Sequence, residues 1–151
     1  MTSRPPTMYR VQARTTTPGR ATADVAQETI AFDTSWAAGP SGLPGPAELL
    51  AAAFAACLLK NLKRAGSLLD FRYDRAEVDV VARRQDTPPK FVEVSYELRI
   101  TTGESPRRVD LVHLNLRKYG TVYNTLAATC DVHGQVIAVQ PAPAAGQAPA
   151  S

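Results

Sequence analysis

The feature that most restricts this chain is an uninterrupted apolar run of 11 residues, from Leu49 to Leu59. The run is too short to cross a bilayer, which takes about 20 residues. Pro46 just before it suits the first helical position, where a missing N–H costs nothing, and Glu48 then falls in the positive first turn. These signals predict a helix from Pro46 to about Ala65, ended by Gly66. Apolar side chains leave it in every direction, so burial on every side is expected. Its many alanines would let neighbouring elements approach closely, which makes it the central helix of the core.

The remaining sequence supplies strands and shorter helices. Tyr9, Val11 and Ala13 alternate with polar residues, Thr17-Pro18-Gly19 is a turn, and Ala21, Ala23 and Val25 alternate again. This predicts a hairpin, with Thr29 to Phe32 as a third strand. Gly39 to Pro46 is a rigid Gly/Pro-rich connector; no Gly-Lys-Ser/Thr closes it into a phosphate loop. Ala76, Val78, Val80 and Ala82 alternate with polar residues, Asp86 to Pro89 is a turn, and Val92, Val94, Tyr96, Leu98 and Ile100 alternate in turn. That is a second hairpin with one buried and one wet face. Pro106 opens a helix carrying Val109, Val112, Leu116 and Tyr119 at helical spacing; Gly120 interrupts it. A short helix over Thr121 to Ala128 and a last strand over Val132 to Val139 complete an α+β layer structure.

The patterned region forms one domain over residues 8–139, and no internal repeat or long linker divides it. The polar, proline-bearing residues 1–7 and the Pro/Ala-rich tail over 140–151 have nothing to bury and are expected to be disordered. The first residues lack the apolar core of a secretion signal, so a soluble cytoplasmic protein with no membrane association is expected. The net charge of +3, from 17 basic and 14 acidic residues, is too balanced to imply a nucleic-acid partner. Arg83-Arg84, Arg107-Arg108 and Arg117-Lys118 fall in separate segments and read as solvated faces.

Cys57 is the candidate for chemistry. A small buried hydrophobe is its plain reading; a nucleophilic thiolate, stabilised by nearby cations, is the other. At about 100° per residue, Lys60 and Asn61 flank the Cys57 side chain and Arg64 lies on the same stripe two turns on. Lys60 and Arg64 are therefore candidate thiolate stabilisers, or mark where the helix meets solvent. Glu48, nine residues earlier, projects from the opposite face. His113 and His133 have no acidic or cysteine neighbours at ligand spacing, so neither a metal site nor any cofactor is expected. Phe54 and Trp36, with the glycine-rich loop, suggest a shaped pocket.

Gly45-Pro46-Ala47-Glu48-Leu49-Leu50 and the alanine-rich run into Ala56-Cys57 resemble the central-helix signature of the OsmC/Ohr family. Lys118 to Leu126 resembles that family's second motif, where a cysteine usually precedes a short helix. The resemblance implies antiparallel sheets wrapped around the long central helix in an intertwined α+β homodimer. It also implies a thiol-dependent peroxidase of organic hydroperoxides. In such enzymes the first cysteine becomes a sulfenic acid, a second closes a disulfide, and a dithiol such as lipoamide or a thioredoxin-like donor reduces it. Carried over, Cys57 takes the peroxidatic position, with Arg20, or failing that Arg14, as the hairpin arginine. Gly120 occupies the second cysteine's position, and Ala47 that of the usual glutamate. The expected enzyme is therefore a divergent one-cysteine peroxidase using Cys57, Arg20 and Lys60, with an external thiol reductant or with Cys130 in the resolving role. The alternative is a non-catalytic homodimer binding a small apolar ligand at its interface.

Overall fold

The computed structural model describes residues 7–36 and 41–143, which fall into two compact units divided between Leu50 and Ala51. The first unit is an antiparallel meander of β1 (Gln12–Thr17), β2 (Arg20–Val25) and β3 (Glu28–Asp33). Gly19, at φ +81°, makes the expected first turn, because a left-handed residue is nearly strain-free only without a Cβ. Ala21 and Ala23 of β2 are buried. Tyr9 and Val11 are not strand residues: they precede the first pair of the ladder, Gln12–Asp24, and are exposed. Of the connector, Gly39 and Pro40 lie outside the described residues, as do the terminal residues 1–6 and 144–151.

Helix α1 (Pro46–Leu69) runs unbroken through the division between the units. Its start carries one half of a capping box, made by Glu48 on the backbone of Gly45. The Gly45 carbonyl accepts from the Leu49 N–H at 3.0 Å, and the Glu48 carboxylate accepts from the Gly45 N–H at 3.2 Å. The helix does not stop at Gly66. It continues to Leu69, where Asp70 turns left-handed at φ +48° and the Phe71 N–H bonds back to the Gly66 carbonyl at 2.9 Å. Gly66 is needed for space instead: a Cβ there would lie 3.2 Å from the Phe71 carbonyl and 3.4 Å from the Tyr73 ring.

Arg108 closes the helix end from 38 or more residues away, donating to the Leu69 and Asp70 carbonyls at 2.7 and 2.8 Å. Glu104 fixes the guanidinium at 2.7 Å, and the Arg72 backbone N–H, then Arg108, hold its carboxyl below the usual range. Charged hydrogen bonds of this kind contribute about 1.5–3 kcal/mol each at most. Arg108→Ala is therefore expected to lower stability by about 2 kcal/mol and to speed amide exchange at Phe71, measurable by denaturation and hydrogen exchange.

The second unit also holds β4 (Arg75–Asp86), β5 (Pro89–Thr101), α2 (Pro106–Tyr119), α3 (Thr121–Ala127) and β6 (Asp131–Val139), with sheet order β4-β5-β6. β4 and β5 pair antiparallel, as their alternation predicts. β6 does not: it joins β5 in parallel, so the expectation of wholly antiparallel sheets is corrected. The cause is the helical crossover through α2 and α3, which returns the chain to the end from which β5 began. Val94, Tyr96, Leu98 and Ile100 of β5 form the core with Val109, Val112 and Leu116 of α2 and Tyr123 of α3. Ser105 caps α2 by accepting from the Arg108 N–H, with Pro106 at the first helical position.

Helix α1 contributes one stripe to the buried set, Phe54, Leu58, Leu62 and Ala65. Each large member contributes about 2 kcal/mol by leaving water. The expectation of burial on every side is not met within one chain: Ala52, Ala53 and Ala56 are exposed, and Leu59 is 37% exposed. One stripe is all that a single layer of neighbours can cover.

Candidate active site

Cys57 sits at the border between the two faces of α1, about a quarter turn from the buried stripe. It is half-buried, while Leu58 beside it is sealed and Ala56 is exposed. The Asn61 side chain, one turn on, donates to the Cys57 carbonyl at 2.9 Å and lies 3.5 Å from Sγ. Thus the i+4 neighbour meets the sulfur, as helical spacing requires. Lys60 and Arg64 are exposed and, among the described residues, form neither an ion pair nor a hydrogen bond to Sγ. Arg64 instead lays its guanidinium over the Tyr119 ring, 4.9 Å from the centroid, and Lys118 approaches that ring at 5.2 Å.

The junction of α2 and α3 forms the wall beside the sulfur. Gly120 has an ordinary φ of −76°, so its backbone does not require glycine. Space does. A Cβ at Gly120 would lie 2.9 Å from the Tyr123 Cβ, 3.1 Å from the Leu116 carbonyl and 3.2 Å from Cys57 Sγ. The position matched to a second cysteine is thus next to the first sulfur. Cys130 is also free; its thiol donates to the Leu126 carbonyl at 3.3 Å, just after α3.

Beneath this wall lies a network that sequence reasoning missed. The Phe54 and Tyr123 rings stack at 5.6 Å, and Tyr96 packs edge-on to Tyr123 at 6.1 Å. The Tyr96 hydroxyl meets His113 Nε2 at 2.6 Å. Burial pushes the Tyr96 phenol well above its usual range, and burial, then Arg117, pushes His113 down, so this histidine is held neutral. Its only sequence signal was its place at helical spacing between Val109 and Leu116. His133 has an acidic partner after all, Asp131 at 3.3 Å, because residues two apart share one face of a strand.

The remaining candidates belong to the first unit. Arg14 is committed to Asp24 at 2.6 Å, and this contact holds the Asp24 carboxyl below its usual range. Arg20, the first residue of β2, is exposed and forms no ion pair among the described residues, so it is the more available arginine. Glu48 serves the helix cap, and Ala47 brings no carboxylate. Trp36, in the first unit, is exposed, and Phe54, in the second, is fully buried. A depression of about 450 Å³ does open on the second sheet, lined by residues including Val81, Ser95, Glu97 and His133. It holds no cysteine and is bridged by Gln135 and Glu97 at 2.9 Å, so it is not where thiol chemistry belongs.

No curated protein sequence matches the chain. Solved structures do. An OsmC-like protein from Mycoplasma pneumoniae is 20% identical, with a TM-score of 0.79 over 88% of this chain and 98% of that one. An organic hydroperoxide resistance protein OsmC from Legionella pneumophila is 18% identical, with a TM-score of 0.71 over 87% and 99%. An organic hydroperoxide resistance protein from Elizabethkingia anophelis is 15% identical, with a TM-score of 0.70 over 88% and 99%. At these identities the likeness establishes the α+β fold. The profile of OsmC-like proteins matches residues 39–133, a span that includes Cys57, Gly120 and the helices that carry them. This chain belongs to the OsmC-like family.

Proposed function

We propose that this protein reduces organic hydroperoxides with Cys57 as its single peroxidatic thiol. The observation that carries the reading is the setting of Sγ: half-buried, not sealed, on the flank of α1 beside the backbone of Gly120. The Cys57 thiolate attacks the outer oxygen of the hydroperoxide, the O–O bond breaks, and the leaving alkoxide takes a proton and departs as the alcohol. The sulfur is left as a sulfenic acid, two electrons oxidised. Arg20 and Lys60 are assigned the cationic roles, favouring the thiolate and the developing alkoxide. The working unit is a homodimer in which Ala52, Ala53, Ala56 and Leu59 pack against the same face of a second copy. Small residues allow that close approach, and their exposure within one chain supports it.

Mixing with cumene hydroperoxide in a stopped-flow instrument tests the enzyme reading. Rapid sulfenate formation, trapped with dimedone, is expected in the wild type and not in Cys57→Ser. An unmodified wild type after prolonged exposure would overturn it. A second reading draws on Ala47, which leaves the usual glutamate's position without a carboxylate. It makes the protein a non-catalytic binder of a small apolar ligand, with Cys57 kept for packing.

A further inference from the structure

Gly120 sets no thiol beside Cys57, and the charges around that junction bear on what could resolve an oxidised Cys57. From Leu49 to the end of α1 at Leu69 there is no acidic residue, and none from Leu111 to Cys130. Those two stretches carry Lys60, Lys63, Arg64, Arg117 and Lys118, all exposed and none ion-paired among the described residues. Two of these cations are fixed close to the sulfur's wall. Arg64 and Lys118 share the ring of Tyr119, which directly precedes Gly120, and Gly120 adjoins Sγ. A surface with several cations that pair with no carboxylate raises the local concentration of anions.

We propose that the resolving partner is a small thiol bearing carboxylates, guided to Cys57 by Arg64 and Lys118. This rests on the peroxidase reading for its oxidant but names a partner that reading leaves open. The partner's thiolate attacks the Cys57 sulfenic acid, the S–O bond breaks, and water leaves as a mixed disulfide forms. A second molecule of the thiol attacks that disulfide, releasing the partner's symmetric disulfide and reduced Cys57. The two partner molecules thus return the two electrons that the hydroperoxide removed. Gly120 sets backbone, not a thiol, against the Cys57 sulfur, so this position supplies no second sulfur.

The test uses disulfide probes, which need no hydroperoxide, on the full chain carrying Cys130→Ser so that only Cys57 reacts. The dianionic probe is 5,5′-dithiobis(2-nitrobenzoate), the neutral one 4,4′-dithiodipyridine and the cationic one cystamine, each referred to a free cysteine peptide. The expected result is a preference for the dianion over the cation roughly tenfold above the peptide's, shrinking in 0.5 M salt. Arg64→Glu with Lys118→Glu should abolish the preference, read as each charged probe's rate divided by the neutral probe's in the same variant; Arg64→Gln with Lys118→Gln should fall between. A peptide-like preference, or one that survives charge reversal in a variant with native circular dichroism, overturns the proposal. The peroxidase reading can fail separately, by a wild type that keeps the anion preference yet forms no sulfenate.

Discussion

Gly134→Ala is expected to destabilise the second unit by about 3 kcal/mol or more, a larger loss than a typical overpacked site shows. Gly134 lies in β6 opposite Tyr96, in the parallel ladder. An added Cβ would fall 2.3 Å from the Tyr96 carbonyl oxygen and 2.5 Å from its ring atoms Cγ and Cδ1. A flexible side chain could swing aside, but a ladder carbonyl cannot without breaking the sheet. The strand would have to part from β5, or Tyr96 would have to leave its place against Phe54 and Tyr123. The second route would also cost the 2.6 Å contact between the Tyr96 hydroxyl and His113. Urea unfolding measures the loss directly. A change below about 1 kcal/mol would mean that the β5–β6 register differs from the one described.

That register shows where local sequence stops informing. The alternation from Val92 to Ile100 identified β5 and its buried face, because period two depends only on neighbours along the chain. It carried no information about which strand would lie on the far side of β5, or in which direction. The same limit explains Gly66. Read locally, a glycine late in a helix is a terminator, yet here it makes room for Phe71 and Tyr73, while the true end is secured by Arg108 from a different helix. Helical angles placed Asn61 beside Cys57 and Glu48 away from it correctly, since both relations lie within one rigid element. The nearness of Gly120 to the sulfur was legible only through resemblance to a family. The Tyr96–His113 pair, which joins β5 to α2, left no trace beyond two residues on buried faces. Uniform apolarity of α1 points to burial on every side, but apolarity reports only what a face would tolerate, not what covers it.

Restoring a thiol at the wall, by Gly120→Cys, is expected to give an intramolecular disulfide with Cys57. In a disulfide each sulfur lies about 3 Å from the opposite Cβ, given an S–S bond near 2.04 Å. The Cβ at position 120 would lie 3.2 Å from Cys57 Sγ, so the sulfurs can meet with little backbone movement. Crowding opposes this, because the same Cβ would lie 2.9 Å from the Tyr123 Cβ. Accommodating it costs about 1–3 kcal/mol through a shift of α3 against Phe54. Closing a loop of roughly 60 residues favours the crosslinked fold by about 4 kcal/mol in the chain-entropy picture, so the oxidised variant should be the more stable form and the reduced variant less stable than wild type. Thiol titration should then fall from three groups to one on oxidation, leaving Cys130, and a non-reducing peptide map should join the segments around residues 57 and 120 within a single chain. Sulfenate trapping after hydroperoxide should fall as well, since an internal thiolate would consume the intermediate before dimedone reaches it. Three free thiols surviving mild oxidation would show that the α2–α3 junction does not lie against the sulfur, and the reason for an external resolving thiol would go with it.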